Sequence, residues 1–261
     1  MNRIEKLDRI AVLVSVGRHR VSGVSCYSRN DAAALDIART LAQKHGAQLE
    51  VLHAGDASNL ALTDYLALGA PRIDVLACSD EDDAAALLAQ RLRGVPLVLT
   101  GTRAEGAYDT GMLPYRLAEA LGYALVESAL DVAIQRDGVA VTQFLPKGFR
   151  RSIEATLPAV VAVHPQAAVT PRYAYARAAA GVIESHREPA SPDNDAHAWR
   201  IAPMQRKPIK LAAAEKRSGH ARMLTATTTE SRGGNVVIEG TSVEKAQVIL
   251  SYLREHRLVD Y

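Results

Sequence analysis

The sequence predicts an α/β fold: a mostly parallel sheet with helices on both faces, a small antiparallel extension, and a C-terminal arm ending in a helix. Two observations carry this. Strand-like and helix-like segments alternate through the first two-thirds of the chain, the pattern of a parallel sheet covered by its own crossover helices. The 48% hydrophobic content is mostly Ala, Val and Leu, with only 5% aromatic residues. That mix suits packed helices and strands buried on both faces.

The elements follow in order. Ile10–Val16 reads as a first strand, and Asn30 or Asp31 can cap a helix through "AAALDIARTLAQKHG" that Gly46 stops. Strand "AQLEVLHAG", helix "SNLALTDYLALGA" and strand "RIDVLAC" come next. Ser79 is placed to cap "DEDDAAALLAQRLRG", with Asp80 to Asp83 in the first turn, where acids complement the helix dipole. Strand "PLVLTG" then leads into a long loop of small, polar and turn-prone residues, Gly101 to Gly111, and an amphipathic helix ending at Gly122.

From Ala124 the helical period disappears. Asp137-Gly138 is a hairpin signal between two alternating runs, and Lys147-Gly148 is a second turn. A last buried strand is expected at Ala159–Val163. Beyond His164 the sequence loses its globular texture. Residues 1–185 are therefore read as the α/β domain and 186–261 as a linker and arm. Between Arg200 and Arg232 eight Lys or Arg stand against two Glu. The terminal stretch "TSVEKAQVILSYLREHRLV" reads as a helix opened by a Thr241–Glu244 capping box, with Val248, Leu250 and Leu253 on its apolar side. A lone amphipathic helix cannot bury its own apolar face, so the arm is expected to dock on this domain or on another chain, and its long polar middle favours another chain.

Bulk properties exclude several classes. A net charge of +2 argues against a nucleic-acid or membrane partner, and the basic arm lacks interleaved aromatics. Cys26 and Cys78 are widely spaced, so no cluster or zinc site is expected and a reducing cytoplasm fits. No stretch reaches the about 18 apolar residues of a membrane span, and the N-terminus reads as a strand rather than a signal peptide.

In an open parallel sheet ligands sit outside the carboxyl ends of the strands. Gly17, Gly55 and Gly101 fall at three such ends, each a candidate for close backbone approach. Thr110-Gly111 precedes a helix whose free N–H groups suit a phosphate. Neither GxGxxG nor GxxxxGK[ST] occurs. Of the eight histidines only His19 and His53 are placed near the sheet edge, and Glu105 and Asp109 in the loop are read as solvated. No catalytic triad, HExxH or paired carboxylates stand out, so no catalytic or metal residue is assigned. The site is expected to hold a nucleotide rather than react with it.

At this point four segments carry a family resemblance: "LALGAPRIDVL", the Gly101–Gly111 loop, "LPAVVAVHPQAAVTPRYAYARA", and the terminal helix after Gly240. The chain resembles the β subunit of electron transfer flavoproteins, as a divergent bacterial member. The resemblance implies a Rossmann-like, adenine-nucleotide-binding domain, an α subunit as heterodimer partner, and FAD held mainly by that partner at the interface. It also implies a structural AMP in this chain. Its contacts would fall on Ser15, Asn30, Asp31, Ala54, Gly101, Thr102, Arg103, Ala104, Asp109 and Thr110. Gly17, Gly55, Gly111 and Met112 complete the expected cofactor-binding set at the strand ends and helix start. The C-terminal arm would wrap the α subunit. An electron-donating dehydrogenase would contact the chain near Tyr173 to Gly181, and a quinone oxidoreductase would accept the electrons. The chain departs from the family at Ser28-Arg29-Asn30-Asp31, in a shortened nucleotide loop, in "GRHRVSG", and at Ala176. Those departures imply a donor outside the usual acyl-CoA dehydrogenases. The competing readings are a stand-alone adenine-nucleotide-binding regulator of universal-stress type and an ATP-using enzyme of the same broad fold. The first would make the arm superfluous, and the second lacks its phosphate and metal motifs.

Overall fold

A computed structural model describes residues 7–19, 21–103, 110–136, 138–194, 198, 200, 218–220, 223, 239–255 and 258–259. The chain divides into two compact units, 1–199 and 200–261.

The first unit is built on a nine-stranded sheet. Its strands are β1 (Arg9–Leu13), β4 (Gln48–Gly55), β5 (Arg72–Ala77), β6 (Leu97–Gly101), β7 (Ala124–Gln135), β8 (Gly138–Phe144), β9 (Arg150–Thr156), β10 (Ala159–Val163) and β11 (Val182–His186). They lie in the order β11-β5-β4-β1-β6-β10-β7-β8-β9. Pairing is parallel from β11 through to β7 and antiparallel from β7 to β9, so the expected extension is present. Strands β2 (Val16–Arg18) and β3 (Ser25–Tyr27) form a separate antiparallel pair, so the run read as one strand from Ile10 to Val16 is in fact divided.

Alternation along the strands assigns each face its helices. Ile10 and Val12 of β1 pack with α1 (Arg29–His45) and α2 (Leu62–Leu68). Ala11 and Leu13 of the same strand point the other way, toward α3 (Ala84–Leu92) and α4 (Leu113–Leu121). With both faces covered, the central strands read as continuous apolar runs. On the antiparallel side β9 is largely exposed, and Arg150 and Arg151 blunt this edge.

Two helix starts differ from the sequence expectation. Ser28, and not Asn30 or Asp31, caps α1, its side chain accepting from the Asp31 N–H at 3.2 Å. Asp83, and not Ser79, caps α3, accepting from Ala86 N–H at 2.9 Å. Ser79 is diverted into a turn of its own, its N–H and hydroxyl both donating to Asp82. Asp80 to Asp82 therefore precede the helix instead of lying in its first turn. A helix α5 (Tyr175–Ala180) and β11 also fall where the sequence loses its globular texture. β11 escaped notice because its residues do not alternate. Backbone pairing to β5 holds it, and so do charges: Arg72 meets Asp74 at 3.0 Å and Glu184 at 3.6 Å, and His186 meets Asp74 at 3.3 Å.

In the second unit α6 (Ser242–Glu255) opens on the expected capping box. Thr241 N–H donates to Glu244 at 2.7 Å, and Glu244 N–H donates to the Thr241 hydroxyl at 3.4 Å. No residue of α6 is buried. Among the described residues no helix is long and apolar enough to cross a membrane.

Candidate functional site

Strand order reverses at β1, with β4 on one side and β6 on the other. Crossover connections leave a crevice outside the carboxyl ends at such a point. The structure has a cleft of about 720 Å³ there, lined from the ends of β1, β4, β5 and β6 and from the starts of α3 and α4. Its volume is in the range of small-molecule sites.

The floor between β1 and β6 is a closed knot of hydrogen bonds around Asp31, which is 3% exposed. Oδ2 accepts from the Ser15 N–H at 2.8 Å and the Ser15 hydroxyl at 2.5 Å, and Oδ1 accepts from the Gly101 N–H at 3.0 Å. Tyr65 closes the knot from α2. Its hydroxyl donates to the Ser15 carbonyl at 2.6 Å and accepts from the Ser28 N–H at 2.8 Å. A buried carboxylate is tolerated only when its oxygens are satisfied in this way. Gly101 is required here for a reason the sequence did not reveal. A Cβ at this position would overlap the Asp31 carboxylate and lie 2.8 Å from Asn30 Cβ. The close backbone approach at Gly101 is thus to the α1 start, inside the protein.

The wall formed by β4 is arranged differently. His53 is 6% exposed and lines the cleft. Its Nδ1 lies 2.8 Å from the Val14 carbonyl. A carbonyl can only accept, so Nδ1 carries the proton and Nε2 presents a lone pair. Burial pushes the His53 pKa down, outweighing the Val14 bond and the Asp56 charge, which favours this neutral form. Gly55 follows at φ +147, and a Cβ there would stand 2.8 Å from Nε2.

The remaining rim carries charges of both signs. Asp56, Asp80 and Asp82 stand on the β4–β5 side. Asp56 and Asp82 are held below the usual carboxylate range by hydrogen bonds from Ser58 and Ser79 respectively. Cys78 sits beside them, its thiol pushed up to about 11 by burial and by Asp82 and Asp80, which makes it a poor nucleophile. On the α4 side Arg116 meets Asp83 at 2.7 Å and Asp193 at 3.2 Å. The chain around Asp193 is fastened to the α3 start, with Asp83 N–H donating to the Ser191 carbonyl and Asp193 N–H to the Glu81 carbonyl. Met112 provides no side-chain cap for α4, and its own N–H donates to the Thr110 hydroxyl at 3.3 Å.

Of the residues singled out from sequence, Ser15, Gly17, Asp31, Ala54, Gly55, Gly101, Thr110 and Met112 line the cleft. Asn30 lies behind it against Gly101, and Arg103 runs alongside Gly111, its Cγ 3.4 Å from where a Cβ would sit. Thr102 is half-buried beside Arg103. Ala104 and Asp109, with Glu105, lie outside the described residues. His53 reaches the cleft as its strand position suggested, whereas His19 is exposed on the β2–β3 hairpin. Sequence reasoning missed Tyr65, Arg116 and Asp193. A tyrosine on the apolar face of α2 was the available signal for the first, because a buried phenol needs a partner.

The cleft thus combines the start of α4 and Arg116 with the apolar side chains Leu52, Ala85 and Leu88 and with acids at its rim. The family described as electron transfer flavoprotein domain matches residues 20–191. A protein described as electron transfer flavoprotein subunit beta, from Chromohalobacter salexigens, is 35% identical over 258 residues, which is 96% of this chain and 95% of that protein.

Proposed function

The chain belongs to the electron transfer flavoprotein β subunit family, and from that premise we propose that it pairs with an α subunit as a cytoplasmic electron carrier, with AMP held in its own cleft as a structural part. FAD, held mainly by the α subunit at the interface, supplies the redox chemistry. The observation that carries the AMP reading is a nucleotide-sized cleft in which the described side chains Asp31, His53 and Cys78 are each restrained. Asp31 is bonded to Ser15 and Gly101, His53 is held neutral, and the Cys78 thiol is held protonated. Such restraint suits a site that binds and orients.

In this reading Thr110, Gly111 and Met112 take the phosphate at the α4 start, with Arg116 close by. The acids at Asp56, Asp80 and Asp82 repel the phosphate from the opposite side, which directs the base toward β4. The arm of residues 186–261 is the strap that joins the α subunit, with Val248, Leu250 and Leu253 of α6 facing it. The segment Tyr173 to Gly181, with Tyr173 and Tyr175 exposed, receives the electron-donating dehydrogenase, and a quinone oxidoreductase takes the electrons onward.

Co-expression with an α subunit followed by denaturation and nucleotide analysis tests this directly. A yellow heterodimer releasing AMP and FAD in a ratio near one supports it. A colourless chain that ignores the α subunit sinks the electron-carrier reading, and FAD released without AMP sinks the AMP assignment alone.

A further inference from the structure

We infer that His53 reads the base of the bound nucleotide, its Nε2 accepting a hydrogen bond from the exocyclic amino group of adenine and so selecting a 6-amino purine over a 6-oxo purine. The inference rests on the AMP reading above and concerns a residue that neither the cofactor-binding set nor the resemblance includes.

Three observations support it. First, His53 is 6% exposed, and Nδ1 is committed to the Val14 carbonyl 2.8 Å away. Nε2 has no hydrogen-bond partner among the described residues. Facing the cleft, Nε2 is left to water or to a donor on the ligand. Second, the ground in front of the atom is kept clear. The nearest atoms to a Cβ on Gly55 would be those of the His53 ring, Nε2 at 2.8 Å and Cε1 at 3.4 Å. Any side chain there would cover Nε2, and only glycine leaves it open. Third, the spacing suits the base and not the phosphate. The α4 start follows β6, and β1 alone separates β6 from β4. Two strand spacings come to roughly 10 Å, about the reach of a nucleoside monophosphate from its phosphate to the far edge of its base.

The tautomer gives the discrimination its sign. With the proton on Nδ1, Nε2 can only accept. The N6 amino group of adenine donates, whereas O6 of hypoxanthine or guanine presents a second lone pair to the first. A site built to hydrogen-bond one group rejects an analogue that cannot supply it.

The test uses the complex with the α subunit, stripped of nucleotide and refilled from an equimolar mixture of AMP and IMP, with the bound ratio read by chromatography. Wild type is expected to favour AMP by about tenfold or more. His53→Asn keeps a donor for the Val14 carbonyl but removes the acceptor at Nε2, and is expected to bring the ratio within about threefold of unity. His53→Gln puts an acceptor back near the Nε2 position and is expected to restore part of the preference. Equal uptake of AMP and IMP by wild type overturns the inference, as does an unchanged preference in folded His53→Asn. A loss of 2′-deoxyadenosine monophosphate binding that His53→Asn abolishes also overturns it, by moving the contact to the ribose. If wild type takes up no purine nucleotide at all, the AMP reading itself fails, a result separate from all of these.

Discussion

The two sides of the cleft handle their buried polar groups in opposite ways. Between β1 and β6, Asp31, Ser15, Tyr65, Ser28 and Gly101 bond one another. On β4, His53 bonds the protein with one ring nitrogen and keeps the other for the cleft. Both sides are lined by residues that look functional in a sequence. The difference is whether the donors and acceptors are consumed internally. The closed side positions the strand ends and α1. On the open side, under the inference above, ligand identity is decided.

Substitutions on the closed side are expected to lower stability while leaving nucleotide choice unchanged in whatever remains folded. Asp31→Asn turns a donor toward either the Ser15 or the Gly101 N–H, and a cost of about 3 kcal/mol is expected. Urea denaturation of the full chain measures it, and an unchanged midpoint with loss of AMP would move Asp31 to the open side. Gly101→Ala forces a Cβ against the Asp31 carboxylate and the α1 backbone. Overpacking of that kind costs about 2 kcal/mol, and thermal melting should show it with no ligand present. Tyr65→Phe removes one donor and one acceptor in a fully buried place, worth about 1.5 kcal/mol by the same measurement.

The smallest effect is a pH slope that belongs to the open side. Burial holds the folded-state pKa of His53 below 6.5. As pH falls below that value the unfolded chain takes up the proton before the folded chain does. The stability contributed by neutral His53 is therefore full above pH 6.5 and is lost as pH falls through the folded-state value. His53→Asn is expected to flatten the slope between pH 7.5 and about 5.5, leaving the part due to His164, whose pKa burial also lowers. An identical slope in the two proteins would show that His53 is not held neutral by the fold.

Much of the framework was legible because it depends on local chemistry. Strand β10 at Ala159–Val163, the Gly46 stop of α1 and the Thr241–Glu244 box of α6 are each specified by a few neighbouring residues, and each is found where the sequence puts it. The misplaced caps at Ser28 and Asp83 have a shared cause. Several adjacent Ser, Asn and Asp residues can each cap a helix, and the winner is chosen by what else competes for them. Asp31 is drawn away to Ser15 and Gly101, and Ser79 to Asp82. β11 was illegible for a different reason: its stability comes from β5 and from charges on Arg72 and Asp74, distant in the chain.

The sequence by itself determined the alternation of strands and helices, the parallel sheet with its antiparallel extension, and the place of the cleft at the strand ends. These follow from periodicity, turn residues and composition, all short-range signals. It also carried the family, through segments spread along the chain. Only the tertiary structure decided the direction in which each polar side chain is used. Asp31 and Ser15 look outward in a sequence, yet they meet each other 16 residues apart and Gly101 a further 70 residues along from Asp31. His53 looks like one strand histidine among eight, until the Val14 carbonyl fixes its tautomer and Gly55 clears the space before its second nitrogen. A hydrogen bond depends on distances of a few tenths of an ångström between groups far apart in the chain, and folding alone sets those distances.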